Sequence, residues 1–429
     1  MGKENIAQTA AYKTLASFFD DGQFTELTPL AKSEDTYAEV VAGFGIVNEA
    51  EEVYAFAQNA DLCGGAMSKA SAAKIKKVYD LALKTGKPVV GFYNSKGGRL
   101  SEGNALLKGY GDVLNSVSKL SGVVPQISVI LGDCIGTGAL NAVSADFVIA
   151  TKDSRLSLDT TGNNSDIEYN AKNGIVNVIC EDEAEAVEKV KELLLYLPEN
   201  NITVPVGLEY SEPEQDEHIV KSIIDAGSAY KLSMEYGENA RTIFAVIDGT
   251  SVGIVNTLGG KLSADDANKI AKHVRFCDAF SIPVITFVNV DGFEDIKSAA
   301  KVSSAYGEAT TAKISVVTGK AVGAAYIALA GTGANADFVY ALDGAVISPV
   351  NPEAVVLINS PEELNVPVSE QAAVVEKYAK ENLSAEKAAE SGYVDDVVTA
   401  DELRQVIINS RNILMSKRVE TLSKKHSTI

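Results

Sequence analysis

Pro88-Val89-Val90-Gly91-Phe92-Tyr93-Asn94-Ser95-Lys96-Gly97-Gly98-Arg99 is the stretch whose reading decides the fold. Its apolar run suits a strand covered on both faces, as in the middle of a parallel sheet. The Gly97-Gly98 pair then ends the strand in a turn where backbone amides can approach a bound group closely. A second version begins at Pro283, 195 residues later: Pro283-Val284-Ile285-Thr286-Phe287-Val288-Asn289-Val290-Asp291-Gly292-Phe293. Pro, Phe, Asn and Gly recur in register. The chain is expected to be built around these two turns, facing one another across an interface.

Working outward, the same order of elements flanks each copy. In the first half, Tyr37–Gly45 and Val53–Gln58 read as a hairpin. Gly64-Gly65 leads into a helix over Ala70–Lys84, and Gly86 ends that helix. After Pro88–Arg99, a helix follows over Glu102–Leu120 and a strand over Gln126–Leu131. The glycine segment Gly132–Gly138 opens a small-residue helix from Ala139, and a strand at Asp146–Thr151 and a helix over Glu181–Tyr196 opened by acids are expected after it. Residues 1–35 read as an N-terminal arm with a helix start near Leu15.

Leu197–Glu217 holds three prolines and a cluster of acids and reads as a linker. After it a helix is expected over Ile219–Tyr236. Strands at Thr242–Val246 and Val252–Asn256 flank Asp248-Gly249, a hairpin signal. Gly259-Gly260 leads into a helix over Asp265–Asp278. The second organising strand follows, then a strand at Ile314–Thr318, the glycine segment Gly319–Gly323, a small-residue helix, and a strand at Asp337–Leu342. The halves are therefore a duplicated α/β unit. With 429 residues, two domains are expected, 1–217 and 218–429. The offset between copies drops from 195 at the glycine turn to 187 at Ile127 and Ile314, so the second half is shorter just past its turn.

Hydrophobic residues at 46% and a net charge of −20 fit a soluble globular protein and argue against nucleic-acid or anionic-lipid binding. Cys63, Cys134, Cys180 and Cys277 form no C-x-x-C pair, so reduced, buried thiols in a cytoplasmic protein are expected. No apolar run reaches the length of about 18 residues that would span a membrane. His218, His273 and His426 lie in no metal-spacing cluster and beside no nucleophile motif, and read as surface or packing residues. Phe276 and Cys277 read as core. Side-chain acid–base chemistry is thus poorly supported. Backbone chemistry is better supported. In each half an amide from the turn (Gly97-Gly98, Gly292-Phe293) and amides at a helix start (Gly132–Gly138, Gly323-Ala324) converge into an oxyanion hole.

Several runs carry a resemblance. Ser95-Lys96-Gly97-Gly98-Arg99-Leu100-Ser101-Glu102-Gly103, Ser121-Gly122-Val123-Val124-Pro125-Gln126-Ile127-Ser128 and His273 to Pro283 stand where carboxyltransferase motifs stand, as does Ala388 to Val398 near the end. The chain resembles the carboxyltransferase subunits of biotin-dependent acyl-CoA carboxylases and decarboxylases, over nearly its whole length. The resemblance implies two tandem crotonase-like domains that meet their opposites in a homodimer, often three dimers to a ring. It implies carboxyl transfer between biotin on a separate carrier protein and the α-carbon of an acyl-CoA, with a membrane subunit as partner in the decarboxylases. By position, one oxyanion hole falls at Gly97, Gly98, Gly136 and Thr137 and the other at Gly292, Phe293, Gly323 and Ala324. Cofactor contacts fall at Arg99, Gly292, Gly323 and Ala324.

The chain departs from the family's pattern at Lys96, at Ile135-Gly136-Thr137-Gly138 and at Asp291. It also lacks the glycine-rich segment that follows the second turn. Two alternatives remain: a catalytically impaired assembly or acyl-CoA-binding subunit, and a biotin-independent crotonase-type enzyme.

Overall fold

The computed structural model describes residues 7–159, 161, 163–204, 206–214, 216 and 218–419. The chain divides into two compact units, Met1–Val206 and Gly207–Ile429, and the division falls inside the proline-containing segment.

The first unit runs α1 (Ala10–Phe18), β1 (Phe24–Glu26), β2 (Lys32–Ser33), β3 (Thr36–Tyr37), β4 (Val40–Val47), β5 (Glu51–Gln58), α2 (Lys69–Thr85) and β6 (Val89–Ser95). It continues with α3 (Ala105–Leu120), β7 (Gln126–Ile135), α4 (Thr137–Val143), β8 (Phe147–Thr151), β9 (Arg155–Ser157), α5 (Ile167–Lys172), β10 (Val178–Cys180) and α6 (Glu183–Tyr196). Its main sheet has the order β1-β4-β5-β6-β7-β8-β10, with β9 paired to the far end of β7. The β1–β4 and β4–β5 pairs are antiparallel, and every later pair is parallel.

The second unit repeats this pattern. It runs β11 (Tyr230–Leu232), β12 (Ala240–Ile247), β13 (Thr250–Thr257), β14 (Lys261–Leu262), α7 (Ala264–Ala279), β15 (Val284–Val290), β16 (Gly292–Phe293), α8 (Ile296–Glu308), β17 (Lys313–Val322) and α9 (Ala324–Leu329). Then come β18 (Phe338–Leu342), β19 (Val346–Ser348), α10 (Pro352–Asn359), α11 (Val368–Asn382), α12 (Ala385–Glu390), β20 (Asp396–Val398) and α13 (Ala400–Leu414). The sheet order β11-β12-β13-β15-β17-β18-β20, with β19 on β17, matches the first strand for strand. The duplication is therefore one of topology as well as of sequence.

The organising strands are apolar throughout because both faces are covered. Phe92 of β6 faces α1, where its ring meets Phe18 at 5.4 Å. Tyr93, pointing the other way, meets Phe56 edge-on at 5.5 Å on the face covered by α2. This corrects the expected N-terminal arm. Leu15, Phe18 and Phe19 are buried, so α1 forms part of the first unit's core. Thr9 caps α1 by accepting from Tyr12 N–H.

Two further expectations change. The strands expected to end at Leu131 and Thr318 run on through most of Gly132–Gly138 and Gly319–Gly323, since β7 extends to Ile135 and β17 to Val322. Each parallel pair shifts register there, between Tyr93 and Ser95 and between Val288 and Val290. Asn94 and Asn289 occupy these irregularities. A Cβ on Gly132 would lie 2.4 Å from Asn94 Oδ1, and one on Gly319 would lie 2.5 Å from Asn289 Oδ1. Glycine opposite asparagine is thus a packing requirement, which is why both residue types recur in both halves.

The expected helix over Ile219–Tyr236 is also absent. Val220, Ile223 and Ile224 are buried in a run of turns, and the segment ends in strand β11. Asp225 organises it. Its carboxylate accepts from Asp248 N–H at 2.9 Å and Gly249 N–H at 3.0 Å and pairs with Arg404 at 2.7 Å. These long-range bonds outweigh local helical periodicity.

Candidate active site

In the first unit, β6 delivers Gly97 and Gly98 beside the end of β7. Ser95 pairs in register with Cys134, and a Cβ on Gly97 would lie 3.9 Å from Ile135 O. The Gly97-Gly98 turn therefore stands next to Ile135-Gly136 at the start of α4. Gly97 has φ +124° and Gly136 φ +78°, conformations that side chains disfavour.

The amides divide into two kinds. Gly97 N–H donates to Ser95 Oγ at 3.2 Å, and Gly136 N–H donates to Ser157 O at 2.8 Å. Those two are engaged by the protein. Gly98 is bridged by Met67, which donates to Gly97 O at 2.9 Å and accepts from Arg99 N–H at 2.8 Å. This alternation points the Gly98 N–H away from Met67, and it has no acceptor among the described residues. Thr137 is the first residue of α4, where helical N–H groups have no partner within the helix, and its amide is likewise unbonded among the described residues.

The second unit repeats the division. Gly323 N–H donates to Ser348 O at 2.8 Å. Glu294 N–H donates to Leu262 O at 2.9 Å across the parallel β14–β16 ladder, so the intervening Phe293 N–H faces away from β14. Ala324 opens α9, which packs against β16, and its amide has no acceptor among the described residues. Gly292 has φ +139° and open space around the position a Cβ would take. Of the eight expected residues, Gly97, Gly136 and Gly323 have amides engaged by protein, whereas the amides of Gly98 and Thr137, and equivalently of Phe293 and Ala324, have no acceptor among the described residues. Helices α4 and α9 have only seven and six residues. Little helix dipole therefore stands behind the amides at their starts.

Arg99, expected to contact cofactor, is engaged by protein. Its Nε lies 3.4 Å from Glu39 Oε1, and its Nη1 donates to Ser33 O at 3.1 Å. Its Nη2 lies 3.7 Å from Cys63 Sγ. Glu39, whose side chain is fully buried, also accepts from Ser68 Oγ at 2.6 Å and from Ser71 Oγ at 2.9 Å. Glu102 accepts from Lys69 N–H at 2.7 Å and from the Ser33 hydroxyl. The sequence assigns no site role to Ser33, Glu39, Ser68 or Ser71, and places Glu102 only in a helix start and in the quoted run around Arg99. The available signal was Glu39 itself, a charge inside the apolar run leading into β4.

Side-chain titration adds little here. Burial, reinforced by Asp133, pushes the Cys134 thiol up to about 12, so it stays protonated beneath the turn. Burial holds His273 down at about 3, and it stays neutral against Phe244 in the second core. His218 is exposed, and His426 lies outside the described residues. Phe276, Cys277, Cys134 and Cys180 are buried as expected, but Cys63 is exposed, on a strained turn with φ +47°. Among the described residues no group of acidic, histidine and cysteine side chains is placed to hold a metal ion. No helix there is long and apolar enough to cross a membrane.

Residues 7–429 match the carboxyl transferase domain. The chain belongs to the carboxyl transferase family. This carboxyl transferase is 32% identical to the methylmalonyl-CoA decarboxylase subunit alpha of Veillonella parvula, over 98% of this chain and 92% of the relative. It is 31% identical to the propionyl-CoA carboxylase beta chain of Roseobacter denitrificans, over 91% of this chain and 85% of that one. The alignment with the Veillonella protein spans 476 positions against 429 residues here, so that relative carries segments this chain lacks. A solved structure of transcarboxylase 12S, a hexamer with methylmalonyl-coenzyme A and methylmalonic acid bound, matches with TM-score 0.89 at 29% identity. The match covers 98% of this chain and 92% of that one. The two matching sheets are the tandem crotonase-like domains of this enzyme family.

Proposed function

We propose that this protein is the carboxyltransferase subunit of a biotin-dependent acyl-CoA carboxylase or decarboxylase, moving carboxyl between carrier-borne biotin and the α-carbon of a short acyl-CoA. The observation that carries the reading is the pair of unbonded amides at equivalent positions of the duplicated units, in a chain of the carboxyl transferase family. Gly98 and Thr137 N–H donate to the thioester oxygen as it gains negative charge. Phe293 and Ala324 N–H donate to the ureido oxygen of biotin.

The second site fits such a group. It offers two neutral donors to an uncharged carbonyl, and a Cβ on Gly292 would meet nothing within 4 Å. When bound, biotin supplies the carboxyl on its ureido nitrogen. A fixed donor needs no reorganisation as charge develops, and losing one side-chain donor of this kind costs about 2.7–4 kcal/mol.

The sequence ranges 1–217 and 218–429 act as the N- and C-terminal carboxyltransferase domains of a cytoplasmic homo-oligomer. Exposed apolar side chains flank both turns, Leu100, Leu107, Leu140 and Leu158 in one unit and Ile296 and Ile327 in the other. Surface of that kind favours burial in an assembly. A biotin carrier protein, and in a decarboxylase a membrane subunit, complete the complex.

The test is carboxyl exchange between free biotin and a panel of malonyl-type CoA esters. Exchange with methylmalonyl-CoA or malonyl-CoA is expected. Hydratase or hydrolase turnover without biotin, or acyl-CoA binding with no exchange, would sink the proposal.

A further inference from the structure

We propose that Arg99 is a positioning residue, and that its seat on buried Glu39 aims the Gly98 amide at the acyl oxygen. The inference rests on the carboxyltransferase reading above.

The chain around Arg99 comes from five separate places. Ser33 belongs to β2, Glu39 to the residues entering β4, Cys63 to the turn after β5, Ser68 and Ser71 to the start of α2, and Glu102 to the turn before α3. Arg99 touches the first three directly, and its Nη1 lies 4.0 Å from Glu102. Through Glu39 it reaches Ser68, which caps α2 by accepting from Ser71 N–H at 3.2 Å. Met67, one residue earlier, is the residue that bridges Gly98.

The side chain of Arg99 and the peptide that orients Gly98 are thus fixed to the same helix start. The Arg99 side chain is 13% exposed, Glu102 4% and Glu39 not at all. Nη2 lies at the exposed Cys63, while with Nε on Glu39 and Nη1 on Ser33 O the guanidinium is held by protein. Its planar fork can hold several partners at once, which a lysine cannot.

Among the described residues the second unit shows no arginine clamp at its turn. The residue 195 positions after Arg99 is Glu294, and the residue that directly precedes β12, as Glu39 directly precedes β4, is Asn239, which bonds Asp266 and Lys261 O and no arginine. The device therefore belongs to the first turn alone, and its loss should leave the second unit untouched.

Arg99→Lys and Glu39→Gln are made in the full chain, with Lys108→Ala, an exposed side chain on α3, as control. Exchange is measured with methylmalonyl-CoA and free biotin, beside amide hydrogen exchange by mass spectrometry. Each variant should lose at least about tenfold in kcat while KM for the CoA ester moves less than about twofold. The double variant should be no worse than the worse single one, because the two act as a unit. Amide exchange over Gly97–Glu102 should quicken at least about tenfold, with β12 and β13 unchanged. Should Glu39→Gln fail to fold, loss of protection in β4 and β5 reveals it, and Arg99→Lys, which keeps the charge, carries the test. A raised KM at unchanged kcat would make Arg99 a ligand contact and overturn the proposal. Unaltered amide exchange over the turn would overturn it too. Absence of carboxyl exchange in the unsubstituted protein would instead overturn the functional reading and the positioning role with it, a failure told apart because it shows before any substitution.

Discussion

Gly323→Ala isolates what holds the second pair of amides in place. Gly323 has φ +52° and ψ −121°, a region that residues with a Cβ enter at a cost of about 1–3 kcal/mol. The new Cβ would also lie 2.9 Å from Pro349 O, closer than carbon approaches a backbone oxygen without displacement. Neither Gly323 nor Pro349 can yield by a rotamer change. The backbone must move, adding about 1–3 kcal/mol as overpacking does elsewhere. The Gly323 N–H to Ser348 O bond anchors α9 to β19, so the Ala324 amide moves with it.

A total of about 2–6 kcal/mol lowers the melting temperature of a unit this size by about 4–24 °C. Misaiming one donor lowers kcat of carboxyl exchange by about 10²–10³. Gly292→Ala is the matched comparison. Its φ of +139° carries strain, but nothing lies within 4 Å of the added carbon, so only the conformational part of the cost remains. The assay is differential scanning calorimetry of both variants with exchange kinetics on free biotin. Equal melting points for the two variants would refute the steric part of the reasoning. Full kcat in Gly323→Ala would refute the role of the Ala324 amide.

Two further outcomes follow from buried charges. Glu51 in the β4–β5 hairpin is pushed up to about 7, chiefly by burial, with Glu199 and Asp20 adding to it against the bond from Asn48. The folded state therefore binds an extra proton between pH 4.5 and 7, and stability falls across that window as pH rises. Discounted for partial exposure, Glu51→Gln should gain about 1–3 kcal/mol at pH 8 and almost nothing at pH 4, read by urea denaturation at both pH values; equal gains would contradict it. Lys313, almost wholly buried, donates through Nζ to Tyr306 O, Ala309 O and Ala334 O. Lys313→Met fills the same volume but leaves three buried carbonyls without a donor. It should cost about 3 kcal/mol or more in denaturant unfolding, and a neutral result would show that water replaces the ammonium.

The parts of this fold that were legible in sequence are those set by neighbours along the chain. The β12–β13 hairpin follows from Asp248-Gly249 between alternating strands. Helix α2 follows from its periodic apolar face between Ser68 and Gly86, which cap it at either end. The duplicated turns showed as repeated motifs at Gly97-Gly98 and Gly292-Phe293. Which amides are free was not legible, because that depends on distant carbonyls. Ser157 and Ser348 occupy the glycine amides, and nothing in the residues around Gly136 or Gly323 announces them. Ile219–Tyr236 misled for the same reason. Its Val220, Ile223 and Ile224 have helical spacing, but Asp225 is bound to the Asp248-Gly249 turn and to Arg404, both far along the chain. Arg99 looked like a ligand contact because its partner Glu39 lies 60 residues away, inside a strand-like segment.

The two halves leave equivalent amides without a protein acceptor among the described residues by different means, and the chain lengths explain why. From Gly97 to Ile127 the first half uses 30 residues, whereas from Gly292 to Ile314 the second uses 22. Half of the difference lies directly after the turn, where Arg99–Asn104 precedes α3 but only Glu294 and Asp295 precede α8. The tighter connection leaves the second turn little freedom, and a two-residue ladder, Lys261–Leu262 with Gly292–Phe293, suffices to hold it. The looser first connection adds about 1 kcal/mol of closure entropy, and its ladder has shrunk to the single Met67–Gly98 bridge. Side chains make up what the backbone lacks there. Ser95 Oγ takes the Gly97 amide, and Arg99 ties the turn to Glu39, whereas Val290 and Glu294 stand at the matching positions of the second half. The shorter second connection thus needs no clamp at Glu294, and the Phe293 and Ala324 amides, like those of Gly98 and Thr137, have no acceptor among the described residues.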